Sequence, residues 1–389
     1  MTVGRRALLA GCAASVAAPF ATGQARTGDN GGLRQLAHRA AVYFTPLSCM
    51  FARRHRDTVE LGHKLNNLKW GADASDGVLA GVAWLDLSIG PLFLTLPPMG
   101  ERFYSAAFID PFTNAFAHVS SRMSRQTPPA CLIADPSWDG SVESDVTLLR
   151  APASVVWLQI RIAATDSRAD LEIAQNLQAR SLLETPDKRN ERRILEMREL
   201  MRFRTYAPAE PVIDWDAPRP EDRFDLLNTG LALLAACRLS EADREVLDDL
   251  APLRLHVGRR FDARAFNNAE REAIASGLAD AAAEIAAAGP SFGEVVDGWR
   301  YPGRTLGQFG TDYLYRAFIA TTALGALVPA EILDLVAEID GRFEPPSPLP
   351  AKAVRWLADR RIARFFQPDA SLLDGRYRLA PPMPVHAPT

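Results

Sequence analysis

The sequence predicts an α+β fold in which an antiparallel β-sandwich-like sheet is followed by a mostly α-helical half. Two observations support this prediction. Runs of β-branched and aromatic residues, broken by Gly and Pro turns, concentrate between residues 78 and 162, whereas apolar residues at helical spacing prevail from residue 167 onward. Because the strands come in one run and the helices in another, the alternating order of a parallel doubly wound sheet is excluded.

The predicted strands begin as an antiparallel meander and end with a long strand near residue 160. They lie at Val78–Leu87, Leu92–Leu96, Phe103–Ile109, Cys131–Ala134, Val146–Leu149 and Ser154–Ile162. In the third of them Phe103 and Ala107 alternate with Tyr104, and Asp110 follows, which predicts a core face and a face with polar tips. In the last, Arg161 lies opposite the apolar face formed by residues 156, 158, 160 and 162.

Helices are predicted before and after the strands along the chain. One spans Ala37–Arg56, after a Gly-rich segment, Gly28–Arg34, that we expect to be flexible. A capping box at Ser167–Asp170 opens another helix that runs to Arg180, and a charged helix follows at Asp187–Arg204. Later helices are predicted at 221–237, 240–250, 268–288, 310–327, 329–341 and 350–366.

These patterns divide the chain into five segments. They are an export signal at residues 1–25, a β-rich core at 35–206, a Pro-rich linker at 207–220, a helical half at 221–366 and a Pro-rich tail at 367–389. We expect this tail to be extended and unpacked from Leu379 onward.

The N-terminus is typical of an export signal. Arg5-Arg6 precede an apolar run, Ala7–Ala21, and Gly23-Gln24-Ala25 supplies the small residues of a cleavage site. The paired arginines favour the twin-arginine route over the general secretory route, and the apolar run before Cys12 is too short for a lipoprotein signal. No other run approaches the roughly 18–20 apolar residues that cross a bilayer. We therefore expect a mature chain without a transmembrane segment, located in the periplasm or secreted.

Composition excludes one class of partner and leaves others open. With 44 basic and 47 acidic residues and a net charge of −3, the chain has no basic surface for nucleic acid. A homo-oligomer is compatible with the sequence. The three cysteines that remain after signal cleavage are widely spaced, so we expect free thiols.

Sequence motifs identify neither a metal nor a cofactor. The six histidines lack the spacing that places two ligands on one face, and no Gly-rich phosphate loop follows a strand. A metal site from distant loops, with His63 and His118 beside Asp86 or Asp110, remains an alternative. The G-x-S-x-G pattern at residues 289–293 follows a helix instead of a strand, so Ser291 is interpreted as a helix cap rather than a nucleophile.

Several blocks resemble the DUF1254 family, whose function is unsettled. They are Tyr43–Leu47 with Met50 and Arg53, Ala83–Leu87, Gly90-Pro91, Arg102–Tyr104, Asp110–Phe116, Val156-Trp157 with Arg161, and Gly310–Ala317. The resemblance covers roughly residues 35–335. Family members usually carry Asn-Asn-Asp-Thr where this chain reads Ser75–Val78, which implies altered chemistry there, and the sequence shows no counterpart of the DUF1214 domain that commonly follows.

The candidate site is a set of polar and aromatic residues on the predicted sheet and at the helical end. It comprises Asp86, Arg102, Tyr104, Asp110, Asn114, Trp157, Arg161, Tyr313 and Arg316. The structural interpretation is that strand-end acids close turns and Arg161 pairs with a buried carboxylate, either Asp110 or Asp86. The functional interpretation is a pocket between sheet and helices that orients a small organic ligand.

Two functions follow from that site. The first is an exported module of the cell envelope that binds a small ligand or serves assembly, without an assignable reaction. The second is an exported, hydrolase-like enzyme that acts on a small, partly apolar compound through an Asp/Arg/Tyr pocket, where an acid of shifted pKa transfers a proton.

Overall fold

A computed structural model describes residues 30–74, 76–123, 127–165, 167–196, 222–339, 343–344, 354–357, 360–373, 379 and 381–384. The predicted export signal and the predicted linker lie outside these residues. So does the end of the charged helix predicted at 187–204.

The elements before residue 197 follow the predicted order, with three further strands that were not predicted, at residues 69–70, 115–120 and 182–184. The helices are α1 (Asn30–His55), α2 (Arg168–Ala179) and α3 (Pro186–Glu196). The strands are β1 (Lys69–Trp70), β2 (Val78–Asp86), β3 (Leu92–Thr95), β4 (Tyr104–Ile109), β5 (Ala115–Ser120), β6 (Ala130–Ala134), β7 (Val146–Arg150), β8 (Val155–Ala163) and β9 (Leu182–Glu184). Ser167 caps α2 as predicted, since its side chain accepts a hydrogen bond from the Asp170 backbone N–H, but the reciprocal bond of a capping box is replaced by one from the Thr165 backbone N–H to Asp170 Oδ2.

Two sheets face each other, as the sandwich prediction requires. One is antiparallel throughout, with strand order β1-β2-β8-β4-β5, and the other has the order β7-β6-β3-β9. In the second sheet β6 and β7 run parallel, so the prediction of purely antiparallel pairing is wrong for that pair. Apolar residues of both sheets form one buried cluster between them, which explains why both sheets form.

The long antiparallel sheet is buried on both faces. Leu158 and Ile160 of β8 join the sandwich core, whereas Trp157 on the opposite face joins the core of the helical layer. That second face packs against α1, where Trp84 and Trp157 stack with ring centroids 5.4 Å apart. The predicted face of polar tips on β4 is therefore wrong, because every residue of that strand is buried.

The helical layer contains α1 and the later helices α4 (Asp225–Leu234), α5 (Glu241–Asp249), α6 (Asn268–Ala287) and α7 (Tyr313–Thr322). These confirm four of the predicted helices. The α1 helix begins at Asn30, so residues 30–34, expected to be flexible, are helical. Pro46 lies inside α1 without ending it. Within the described residues, no helix has both the length and the apolarity that crossing a bilayer requires.

The helices predicted at 329–341 and 350–366 are strands instead. A sheet of order β10-β11-β12-β15-β14 contains β10 (Glu294–Val296), β11 (Trp299–Tyr301), β12 (Ile332–Ala337), β14 (Val354–Leu357) and β15 (Ile362–Phe366). In β12, Leu333, Leu335 and Ala337 share one buried face at a period of two. Short apolar runs fit either period, and pairing with a strand about thirty residues away decides between them.

The C-terminal residues complete this part of the fold. Helix α8 is short, Ala370–Leu373, and β13 (Phe343–Glu344) pairs with β16 (Met383–Pro384). The tail is therefore paired at these two residues, in contrast to the unpacked tail that we expect from its prolines.

Candidate functional site

A cavity of about 550 Å³ opens where the β4–β5 turn meets the N-terminal ends of α5 and α7. It has the size of ordinary small-molecule sites. Its lining combines the polar turn of the hairpin, the start of α7 and an apolar wall. The lining residues used below are Asp110, Phe112, Asn114, Phe116, Cys237, Arg238, Ser240, Asp243, Tyr313 and Arg316.

The β4–β5 turn holds Asp110 in one orientation. The Asn114 backbone N–H donates to Asp110 Oδ1 at 2.8 Å, and Asn114 Nδ2 donates to Asp110 Oδ2 at 3.1 Å. Between them Thr113 adopts φ 68°, a left-handed conformation that is unusual for a β-branched residue. Strained backbone of this kind is concentrated at functional sites.

The turn is also anchored to the loop before α7. Asn114 Oδ1 accepts a hydrogen bond from the Phe309 backbone N–H at 3.1 Å, and the Ala115 N–H donates to the Gly307 carbonyl at 2.7 Å. Asn114 therefore connects the acid of the sheet to the segment that leads into α7.

Arg316 is the most unusual residue of the cavity. It is only 3% exposed, yet its Nε and Nη2 atoms are buried without a hydrogen-bond partner among the described residues. Its guanidinium lies 4.9 Å from the Phe112 ring centroid, 4.8 Å from that of Tyr313 and 6.0 Å from that of Tyr43. Aromatic rings stabilise the cation but supply no acceptor for its N–H groups.

Burial changes the pKa values of both charged partners. It raises the pKa of the Asp110 carboxyl to about 6, against the lowering effects of the Asn114 hydrogen bonds and the Arg316 charge. Burial lowers the pKa of Arg316, and Asp110 is the largest of the charges that oppose this. The charge of each group affects the pKa of the other, but the two groups do not form an ion pair.

We predict that Asp110 gives stability a distinct pH dependence. Its folded pKa of about 6 lies above the ordinary 3.8, so the folded state retains a proton between about pH 4 and 6 and loses stability as pH rises through that window. Relative to the wild type, Asp110→Asn should gain about 2–3 kcal/mol between pH 4 and 7. Denaturant unfolding of both proteins across this range measures the difference, and a difference that does not vary with pH would contradict the assignment.

A second acid, Asp243, lies at the start of α5. Its Oδ1 accepts a hydrogen bond from the Tyr43 hydroxyl at 3.1 Å, and its Oδ2 completes a capping box with Ser240. The charges of Asp110 and Asp243 both raise the pKa of Cys237, on top of the larger effect of burial. The cavity thus has two oriented carboxylates close to one buried guanidinium.

The structure brings together four of the nine candidate residues, namely Asp110, Asn114, Tyr313 and Arg316. The other five lie outside the cavity. Asp86 Oδ1 accepts from the Ser88 hydroxyl at 2.5 Å, which is a turn-closing role. Arg102 pairs with Asp170 at 2.5 Å, Tyr104 belongs to the sandwich core, and Trp157 stacks on Trp84.

The predicted pairing of Arg161 with Asp110 or Asp86 is wrong. Arg161 Nη2 donates weakly to the Gly325 carbonyl at 3.4 Å, Nη1 is buried without a partner in the described residues, and burial lowers the pKa of the group to about 10. Strand register gives the reason. Ile109 pairs with Trp157, so Asp110 lies at least four residues, or about 13 Å, from Arg161 along the sheet. Asp86 pairs with Val155, which is farther still.

Sequence reasoning missed part of the cavity. Asp243 stood in the helix predicted at 240–250, and Tyr43, which donates to Asp243, stood in a block resembling the family, but nothing local connects either to Asp110. Cys237 and Arg238 follow α4 and carry no motif. Residues from four separate parts of the chain meet here because α1 and α7 pack on the same face of the sheet.

Two other predictions concern metal and nucleophile chemistry. Within the residues that the structure describes, no group of three or more His, Cys, Asp or Glu side chains could hold a metal ion. Ser291 donates its hydroxyl to the Ala288 carbonyl at 2.6 Å in a short 3₁₀ turn. The strand β10 follows it, so the predicted capping of a helix by Ser291 is wrong.

Comparison with known proteins supports the family and the fold. A crystal structure of the VPA0106 protein from Vibrio parahaemolyticus is similar, with a TM-score of 0.66, 17% identity, and coverage of 91% of this chain and 100% of that chain. At that identity the similarity shows the fold alone. No curated protein matches the chain significantly.

The family match is narrower than the resemblance predicts. The model described as "Protein of unknown function (DUF1254)" matches residues 63–185, and the Tyr43–Leu47 and Gly310–Ala317 blocks lie outside it. Asp110, Asn114 and Phe112 lie inside it, whereas Arg316 does not. Residues 63–185 of this chain are therefore similar to DUF1254, a family described as of unknown function.

Proposed function

We propose that this protein binds a small, partly apolar organic anion in the cavity, with the carboxylate of the ligand on Arg316. One observation carries the proposal. Arg316 lines the cavity, is 3% exposed, and has two guanidinium nitrogens without an acceptor among the described residues.

The cost of leaving the buried Arg316 N–H groups unpaired favours a ligand as their acceptor. A buried N–H without a partner costs about 1–3 kcal/mol, and more when the group is charged. A carboxylate accepts two parallel N–H bonds from one guanidinium, which matches a pair of free nitrogens better than a single acceptor does. The ligand would supply the bonds that the protein leaves unmade.

The remainder of the lining determines the rest of the ligand. Phe112, Phe116 and Cys237 form an apolar wall that suits a hydrocarbon body. The N-terminal ends of α5 and α7 border the cavity, and their backbone dipoles favour negative charge. These features favour a carboxylic acid with an aromatic or aliphatic chain.

Isothermal titration with matched probes tests the proposal. Hydrocinnamate and caproate should bind the wild type, whereas hydrocinnamyl alcohol, which lacks the carboxylate, should not. Arg316→Gln should abolish binding of both acids, and Arg260→Gln, at an exposed arginine outside the cavity, should leave it unchanged. Equal binding of acid and alcohol, or binding that survives Arg316→Gln, would refute the proposal.

An enzyme remains the second candidate, because Asp110 lines the cavity with its pKa raised to about 6, close to that of a working acid or base. Mass spectrometry of a bound acid after prolonged incubation separates the two functions. Recovery of the unchanged compound supports a binding protein. Turnover that Asp110→Asn abolishes supports an enzyme.

We further propose that the protein acts in the periplasm or is secreted. The paired arginines Arg5-Arg6, the apolar run and the small residues before Arg26 support export by the twin-arginine route. We predict cleavage near Ala25 when the full chain is expressed in a bacterium with that route. N-terminal sequencing of the envelope fraction should begin near Arg26, and a cytoplasmic protein that begins at Met1 would contradict the prediction.

A further inference from the structure

The cavity presents two carboxylates as well as the guanidinium. Asp110 and Asp243 both line it, and neither forms an ion pair of 4.0 Å or less with a basic side chain in the described residues. Hydrogen bonds from Asn114 orient the first, and those from Tyr43 and Ser240 orient the second. Each acid therefore has a defined direction and, in the part of the chain that the structure describes, no ion pair within 4.0 Å.

The charges that line the cavity restrict the charge of its ligand. Arg316 is the buried base of the cavity, and Arg238 is exposed. A ligand that carries only a carboxylate would bring a third negative charge beside two acids. Like charges repel strongly where water is excluded, because the effective dielectric constant is low. A cationic group on the same ligand would remove that repulsion.

We propose that the ligand is zwitterionic, an amino acid or another aminocarboxylate, with its carboxylate on Arg316 and its ammonium group between Asp110 and Asp243. This inference rests on the proposed function, because it assigns the carboxylate to the same arginine. The hydrogen-bonding capacity fits. An ammonium group has three donors, and each of the two acids keeps lone pairs beyond those that it uses within the protein.

Tyr43 contacts two of the protein groups that would bind the charged ends of the proposed ligand. Its hydroxyl donates to Asp243 and its ring lies 6.0 Å from the Arg316 guanidinium. Through Tyr43, helix α1 thereby fixes the position of Asp243 of α5 relative to Arg316 of α7. Such positioning by a rigid helix is what a site of defined ligand length requires.

Two matched pairs of probes test the inference by isothermal titration. L-Phenylalanine is compared with hydrocinnamate, and ε-aminocaproate with caproate, so that each pair differs by one ammonium group. In at least one pair the amino compound should bind the wild type tenfold or more tightly. Asp110→Asn should reduce that preference to less than threefold, and Arg316→Gln should weaken both members of the pair.

The outcomes separate the two proposals. If the simple acids bind as tightly as their amino counterparts in both pairs and still depend on Arg316, the zwitterion is refuted and the proposed function stands. If none of the four compounds binds the wild type, both are refuted. Because Asp110→Asn changes a buried turn, its circular dichroism spectrum and melting temperature are compared with the wild type first. Asp243→Asn provides an independent variant, at the other acid.

The pH profile gives a second readout. An ammonium ligand needs an ionised Asp110, so its affinity should rise as pH increases through about 6, where the buried Asp110 carboxyl titrates. The affinity of a simple carboxylate should fall over the same window. A parallel pH profile for the members of each pair would overturn the assignment of the ammonium group to Asp110.

Discussion

Arg316→Met should unfold at a higher temperature than the wild type and should no longer bind hydrocinnamate. The two effects have opposite signs because two guanidinium nitrogens lack an acceptor among the described residues, whereas the proposed carboxylate would supply one. Losing one partner of a buried, hydrogen-bonded charge pair costs about 2–5 kcal/mol of binding. Replacing a buried guanidinium whose N–H groups lack acceptors by an apolar residue removes a desolvation penalty of about 1–3 kcal/mol.

The surrounding rings reduce that gain. Phe112, Tyr313 and Tyr43 stabilise the cation by about 0.5–2 kcal/mol. We therefore expect a net gain of about 1 kcal/mol for Arg316→Met without ligand. Denaturant unfolding measures it.

Arg102→Met is the matched control for Arg316→Met, because Arg102 has a structural role. Arg102 pairs with Asp170 at 2.5 Å and its Nη1 donates to the Ala163 carbonyl at 2.6 Å, so Arg102→Met should destabilise the protein. If Arg316→Met destabilises in the same way, Arg316 is structural and the cavity loses its ligand anchor.

Gly277→Ala should destabilise the protein by about 3 kcal/mol, the upper end of the usual cost of overpacking. In the exposed interior of a helix the same change stabilises by about 1 kcal/mol, because alanine is the better helix former. Here α6 crosses α1 so closely that a Cβ at residue 277 would lie 2.1 Å from the Arg34 carbonyl oxygen and 2.9 Å from the Ala37 Cβ. Backbone must move to relieve the first contact.

Ala279→Gly is the control for helix propensity. Residue 279 lies on the exposed side of the same helix, so this variant should lose only about 1 kcal/mol. Thermal or denaturant unfolding of both variants measures the contrast. A stabilised Gly277→Ala protein would show that the α1–α6 contact is looser than the structure has it. Since α1 positions Tyr43, which donates a hydrogen bond to the lining residue Asp243, Gly277→Ala should also weaken binding of hydrocinnamate.

The local parts of the fold could be predicted from sequence. The meander and β8 were identified by β-branched residues and by turns, α2 by its N-cap, and α5 and α6 by apolar residues at helical spacing. These signals depend on a few neighbouring residues, so they can be recognised without knowledge of tertiary contacts. The strands β12 and β15 could not be identified, because their pairing joins residues about thirty apart and their apolar runs also fit a helix.

The candidate site was predictable only in part, for the same reason. Asp110 and Asn114 stand four residues apart in one turn, and their polar character at the end of a strand indicates a site. Arg316 was identified by the resemblance, but its proximity to Tyr43 and Phe112 depends on how α1 and α7 pack. Arg161 shows the converse error. Strand alternation predicted its face correctly, but strand register places its expected partners too far away.

The most direct measurement is a crystal structure of the protein at saturating hydrocinnamate. We expect carboxylate density within hydrogen-bond distance, about 3 Å, of Arg316 Nε and Nη2, with the phenyl ring against Phe112 and Phe116. Density for the probe elsewhere, or an Arg316 guanidinium that keeps both nitrogens unpaired in the saturated crystal, would contradict it.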